Sequence, residues 1–406
     1  PLLFSMTFSD IDSVEVVNDL TVRVRMKKPW VAFDGQLYNS GRIGILAQAQ
    51  LDADDETCNE QLIGTGPFEC VYSPRDQSLT VERNEDYWLK APDGEPYPYL
   101  DAIDFRPMPN TDARVAALQR GDINMMMTSA APDMAGSLKQ LEADGAINMV
   151  VSEVQTESSY IMLNASQEGL DDRATRVAIA QAMDRPKLND LHQGGVSTLA
   201  DQPFTPEVVG YVEDPGFPEH DLEAAKKAVA ELKKAGKPTR FRLVTTGDPH
   251  TVREGVLVEK QLEAAGFTID LTAITQADLV QTAITGDYDL LTFRLQPGED
   301  PDLNYTWWKS GMATNFGRID DPVIDEALEV GRTNPDPEAR KKAYESITRQ
   351  FAKEVWNVYL WRATWAIAEA SNIHGILGPD LPDDGGVASG RLSQGHPLTG
   401  IWIDRG

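Results

Sequence analysis

The sequence has very little cysteine, few histidines and a shortage of positive charge, and each lack removes a class of protein. Two cysteines, Cys58 and Cys70, cannot staple 406 residues, so the fold has to rest on apolar cores. The two flank an IGTGPF turn and are either one disulfide of a secreted product or two free thiols, one of them buried in a strand. With no CxxC and no Cys/His cluster, structural zinc has no ligand set. The five histidines, His192, His220, His250, His374 and His396, show no i, i+4 pair and no HExxH, so spacing alone marks neither a metal site nor a catalytic base. Lys and Arg number 37 against 64 Asp and Glu, a net charge of −27. A polyanion without Lys/Arg clusters is repelled by phosphate and anionic lipid, which excludes nucleic acid as a partner. No apolar run reaches the roughly 20 residues of a membrane span.

Motifs of catalysis are scarce too. Gly64-Thr65-Gly66-Pro67 lacks the Gly-Lys-Ser/Thr and the helix that make a phosphate loop and reads as a tight turn; no Gly-x-Ser-x-Gly elbow occurs. Acid groups such as Asp300 with Asp302, or Asp52 with Asp54 and Asp55, would suit a glycosidase, but 64 acids make such pairs common by chance. Pro1-Leu2-Leu3-Phe4 carries no export signal, so a mature, trimmed or fragmentary chain is expected.

What is present is globular: 41% hydrophobic and 8% aromatic residues, with 31 Gly and 25 Pro, in a length that fits two or three domains at roughly 150 residues each. Val14–Lys27 alternates about Asn18-Asp19 and predicts a hairpin; Leu62–Arg83 repeats the theme. A helix is expected over Thr111–Arg120, capped by Thr111. From Phe241 to Phe293 the pattern reads β-α-β-α-β, with helices at Thr251–Ala265 and Gln276–Ile284, which argues for parallel strands covered by helices. Asp171 or Asp172, Asp221, Asp321-Pro322 and Asp336-Pro337 open further helices. Tyr305-Thr306-Trp307-Trp308 lies beyond the strand Tyr288–Phe293, where open α/β sheets bind ligands, and Trp356, Tyr359, Trp361 and Trp365 crowd a second segment. These rings either fill the core or stack on an organic ligand.

Several segments in fixed order resemble solute-binding protein family five, the dipeptide- and oligopeptide-type binding proteins of bacterial ABC importers. They are Ile63–Phe68 (IGTGPF), Glu82–Trp88 (ERNEDYW), Pro98–Asp101 with Ile103–Pro107, Arg114–Ile123 (RVAALQRGDI), Arg176–Arg185 (RVAIAQAMDR), Asp221–Lys226 and Asn315–Asp325 (NFGRIDDPVID). The resemblance implies an α/β, periplasmic-binding-protein-like fold (type II, cluster C), a two-lobed Venus flytrap with the remnant of an inserted subdomain. Residues 1–60 would be the remainder of that subdomain, 61–156 and 364–406 an incomplete lobe I, and 157–363 lobe II. It further implies a non-catalytic, cofactor-free, monomeric protein, extracellular as a lipid-anchored surface protein or periplasmic. Such a protein captures a peptide, oligosaccharide or similar polar organic solute by lobe closure and delivers it to a membrane permease. A secreted hydrolase using paired carboxylates is the alternative.

By position in the family, the solute-binding residues would be Met127 and Thr128 from lobe I, Gln155, Ser159 and Tyr160 at the hinge crossing, Arg294, Gln296, Asp300 and Tyr305 in the ligand loop, Trp308 and Asn315 beyond it, and Trp361 at the return crossing. The family's pattern Trp-x-x-Asp-Tyr-Pro-Asp-Pro, whose first Asp pairs with a peptide's ammonium, reads here Arg294-Leu295-Gln296-Pro297-Gly298-Glu299-Asp300-Pro301. Unless Glu299 or Asp300 substitutes, the ammonium has no partner, which lowers peptides relative to oligosaccharides. Metal or haem cargo has no cluster to hold it, and Met125-Met126-Met127 reads as strand core.

Overall fold

The alternating valines of the N-terminal stretch fold as expected, β1 (Ile11–Asn18) antiparallel to β2 (Thr21–Met26), with Val14 opposite Val24 and Val16 opposite Val22. The computed structural model describes residues 8–37, 46–54, 62–71, 78–92, 94–296, 298–378, 392 and 397–405. Three short antiparallel strands follow, β3 (Phe68–Val71), β4 (Leu79–Arg83) and β5 (Ala102–Phe105). Helix α1 (Thr111–Arg120) comes next, but its cap is Asn110, whose side chain accepts from Ala113 N at 2.9 Å; Thr111 is already its first helical residue. Then come β6 (Met125–Thr128), α2 (Ser137–Ala143) and β7 (Ile147–Ser152). Cys70 lies half-buried on β3, while Cys58 lies outside the described residues.

The second half begins with β8 (Ser158–Leu163), α3 (Arg173–Ala182) and α4 (Arg185–Gln193), followed by α5 (Leu222–Lys234) and β9 (Arg240–Thr246). The alternation continues through α6 (Pro249–Ala264), β10 (Thr268–Ile274), α7 (Gln276–Thr285) and β11 (Leu290–Leu295). Helix α6 starts two residues before the expected Thr251, because Asp248 caps it from a Thr251 N contact of 2.9 Å and Pro249 fits the first turn. Helices α8 (Pro322–Thr333) and α9 (Pro337–Glu354) precede β12 (Asn357–Arg362) and β13 (Trp365–Ala370). At Gly331 of α8 a Cβ would stand 2.3 Å from the Tyr344 ring of α9, so only glycine lets the two helices approach this closely.

The chain packs as two units, the described residues of 1–43 with 155–363, and those of 44–154 with 364–406. The larger unit holds a sheet of order β10-β9-β11-β8-β12, in which β9, β10 and β11 run parallel and β8 is antiparallel to both its neighbours. Every residue of β8 and β12 is buried, as expected of strands covered on both faces. Of the stretch 1–60, the described residues up to 37 pack with the larger unit and those from 46 to 54 with the smaller. Trp30 explains why the early part joins the larger one: its Nε1 donates to Asp302 at 2.6 Å, and its ring lies 4.2 Å from the Arg332 guanidinium. The smaller unit carries the sheets β6-β13-β7 and β3-β4-β5, with a core of Val115, Leu118, Met126, Leu138, Ile147 and Ala368.

Candidate functional site

Open α/β sheets hold ligands beyond the carboxyl ends of their parallel strands. In the larger unit β9 and β11 end at that edge, and α6 begins there. Because β8 runs the other way, its first residues reach the same edge, with Ser158 opposite Leu295 of β11 and Arg362 of β12. One residue further in, Arg294, Ser159 and Trp361 stand opposite one another across three strands. Directly paired residues share a face of the sheet, so these three side chains form a row. Arg294 is exposed and lies 4.0 Å from Glu157; Ser159 and Trp361 are buried.

Two helices supply the layer over this row. Ser159 Oγ donates to Glu254 Oε1 of α6 at 3.4 Å, and Glu254 Oε2 lies 3.7 Å from His192 Nε2 of α4. The His192 ring is wedged between those of His250 and Trp361, at 4.1 and 5.3 Å. Both His192 nitrogens are buried without a hydrogen-bond partner. Burial drives the His192 imidazolium down to about 3, with His250 and Arg253 adding to the shift, and also lowers His250. Burial lifts the Glu254 carboxyl to about 7 against the opposing pull of Arg294 and Ser159. At neutral pH the histidines are neutral and Glu254 is poised between its two states.

The residues carried over by resemblance fall into four groups. Ser159, Arg294 and Trp361 meet in the row, and Gln296 follows Arg294 at the same strand end, half-buried. Met127 and Thr128 lie on β6 of the smaller unit, where Thr128 Oγ1 is spent on Ala130 N at 3.0 Å. Gln155 holds a left-handed φ of 46° and buries its Oε1 without a partner.

The rest have polar or aromatic groups that are engaged within the protein itself. Tyr160 and Trp308 line interior cavities of about 10 and 20 Å³, room for a water and not for a solute. Asn315 donates to Lys309 O and Ile319 O and accepts from Ile319 N, bracing its own loop. Tyr305 donates to Glu329 and lies under the Arg332 guanidinium at 3.5 Å. Asp300 caps the turn Pro301–Asn304 and takes both bonds of Arg340 Nη2 at 2.7 Å, while Asp302 is held by Arg332 at 2.8 Å. Both carboxylates that a glycosidase would use here are thus held in ion pairs. Glu254, His192 and His250 escaped the sequence reading as a group; the one signal was the i, i+4 spacing of His250 and Glu254, an imidazole and a carboxylate on one helix face.

The profile of the bacterial extracellular solute-binding proteins, family 5, middle part, matches residues 2–316. The chain belongs to this family. The oligopeptide-binding protein AppA of Bacillus subtilis is 25% identical over 409 residues, covering 91% of this chain and 70% of AppA. The glutathione-binding protein GsiB of Pectobacterium atrosepticum is 27% identical over 270 residues, covering 66% of this chain and 50% of GsiB. Among solved structures, the periplasmic binding protein DppA from Helicobacter pylori, in complex with the peptide STSA, superposes with a TM-score of 0.84 at 20% identity, covering 99% of this chain and 76% of that one. This likeness shows the fold, that of the periplasmic binding proteins, in agreement with the resemblance. Among the described residues, no helix is long and apolar enough to cross a membrane.

Proposed function

We propose that this protein is the solute-binding component of an ABC importer, that its solute is a short peptide, and that it works as a monomer in the periplasm or lipid-anchored at the cell surface, passing the solute to a permease. Membership of an extracellular solute-binding family carries the reading, supported by relatives named for oligopeptide and glutathione binding. The strand-end row fits it. An extended peptide presents carbonyl and amide groups that must exchange water for protein partners, and Arg294 and Gln296 bring polar groups to that edge, with Ser159 and Trp361 buried beside them. Binding without bond cleavage needs no acid–base pair, consistent with Asp300 and Asp302 being tied to arginines.

Isothermal titration with a panel of di- to nonapeptides and of oligosaccharides tests the reading. Saturable binding of peptides, with weaker or no binding of sugars, is expected. Saturable binding confined to the sugars would replace the peptide by an oligosaccharide, and release of amino acids from a bound peptide would replace a carrier by a hydrolase.

A further inference from the structure

Three acids are buried among the described residues of the larger unit, Glu254, Asp302 and Asp321. Two are answered from within. Asp302 is paired with Arg332 and Trp30, and Asp321 caps α8 while accepting from Gln350 and Trp356. Glu254 has only the long bond from Ser159 at 3.4 Å and a His192 ring, 3.7 Å away, that stays neutral. A buried acid with no cation in ion-pair contact, Arg294 acting on it only from farther off, beside an imidazole whose nitrogens are both orphaned, is costly packing that an apolar residue would avoid.

The charges around it point the same way. Asp248, His250 and Arg253 share its helix; His192 faces it from α4, Arg294 from β11, and Glu157 lies beside Arg294. The two guanidiniums equal in number the carboxylates of Asp248 and Glu157, so the balance of the group equals the charge on Glu254 itself. Arg253 is also occupied, donating to Leu191 O at 2.7 Å. Ionised, Glu254 leaves the group one cation short. Its side chain is 9% open.

We propose that Glu254 receives a cationic group of the solute, the free ammonium of a peptide, in place of the loop carboxylate this sequence lacks; the inference rests on the peptide reading above. The loop cannot serve through Asp300, which is committed to Arg340, and Glu299 has an interaction of its own. Capture then expels the proton from Glu254. With that carboxyl at about 7, about half a proton leaves per solute at pH 7, and affinity falls about tenfold for each pH unit below 6.

The test uses trialanine, N-acetyl-trialanine and 1,4-diaminobutane as probes, titrated in buffers of different ionisation enthalpy so that proton release is counted. Wild-type protein is expected to bind trialanine with proton release and the acetylated peptide at least tenfold more weakly with none. Glu254→Gln, isosteric and checked for folding by circular dichroism, is expected to erase both the preference and the release. Undiminished trialanine binding by the variant, or binding by the wild type without proton release, overturns the role of Glu254 and leaves the peptide reading standing. If the wild type binds neither peptide, the peptide reading fails, and diaminobutane decides for the subsite: binding with proton release upholds a cation-receiving Glu254, and its absence overturns it.

Discussion

All six residues of β8 and all six of β12 are buried in the larger unit, whereas in the smaller unit β4 has one buried residue and β3 and β5 have none. The larger unit wraps one continuous core around its sheet, from Ile161 and Leu163 through Phe351 to Trp361. The smaller one divides its apolar residues between compact groups and leaves a groove of about 580 Å³ lined by Ile103, Phe105, Met125, Met127, Ile367 and Ile401. Burial of a Leu, Ile or Phe side chain contributes about 1.5–3 kcal/mol, so the unit that buries more of them holds the greater reserve. The strand ends proposed to receive the solute are set in the stiffer unit, where a 1 Å error would be resisted, and stability should be lost first in the other.

The largest expected effect breaks the larger unit. Asp302→Ala leaves the Arg332 guanidinium buried against Trp30 and Tyr305 with only the half-exposed carboxylate of Asp10, 3.1 Å away, at a cost of about 3–5 kcal/mol. It should move the later of two urea transitions and leave the earlier one in place; a shift in both would show that the units unfold as one. Leu138→Ala is the counterpart in the smaller unit. It removes a fully buried side chain from a core of six residues, where about 2–4 kcal/mol is expected and the earlier transition should move.

A third substitution sharpens the contrast through pH. Glu369 lies at the centre of β6-β13-β7 with Oε2 buried and unpartnered, and burial lifts its carboxyl to about 7 despite a hydrogen bond from Asn148. A folded value above the unfolded one near 4.5 means that the stability it contributes is complete below pH 4.5 and is lost as pH rises through 7. Glu369→Gln should therefore stabilise the smaller unit by about 1–3 kcal/mol at pH 8 and change little at pH 4.5, measured by urea unfolding at the two pH values.

The sequence disclosed what depends on near neighbours. The hairpin at Val14–Met26, the alternation from Arg240 to Leu295 and the Asp-Pro helix starts at Asp321 and Asp336 all follow from residues within one or two turns of each other. What it hid depends on distance. Trp30 meets Asp302 across 272 positions, which moved the N-terminal stretch into the larger unit. His192 and Glu254 belong to different helices and carry no periodic signal, so the group over the strand-end row became visible only in space. The site residues given by resemblance divide for the same reason. Register brings Ser159, Arg294 and Trp361 together, but nothing in the letters Trp, Asn or Asp announces that Trp308, Asn315 and Asp300 complete their own core or loop.

The smallest effect isolates the part that the letters do carry. Asp221 caps α5 by accepting from Ala224 N at 2.9 Å, on an exposed edge of the larger unit, and no other partner competes for its carboxylate in that bond. Asp321 shows the same signature at α8 but is buried, and its second oxygen also accepts from Gln350 at 2.8 Å and Trp356 at 3.0 Å. Asp221→Ala should thus cost about 1 kcal/mol, the worth of one cap, and Asp221→Asn nearly nothing, since an amide oxygen caps as well. At Asp321 the Asn substitution is not neutral: an uncharged oxygen accepts the indole and amide bonds more weakly, and an amide rotated to cap turns its NH₂ toward two donors. Denaturation of the three variants measures the gap between a residue whose role is local and one whose identical motif has been taken up by the core.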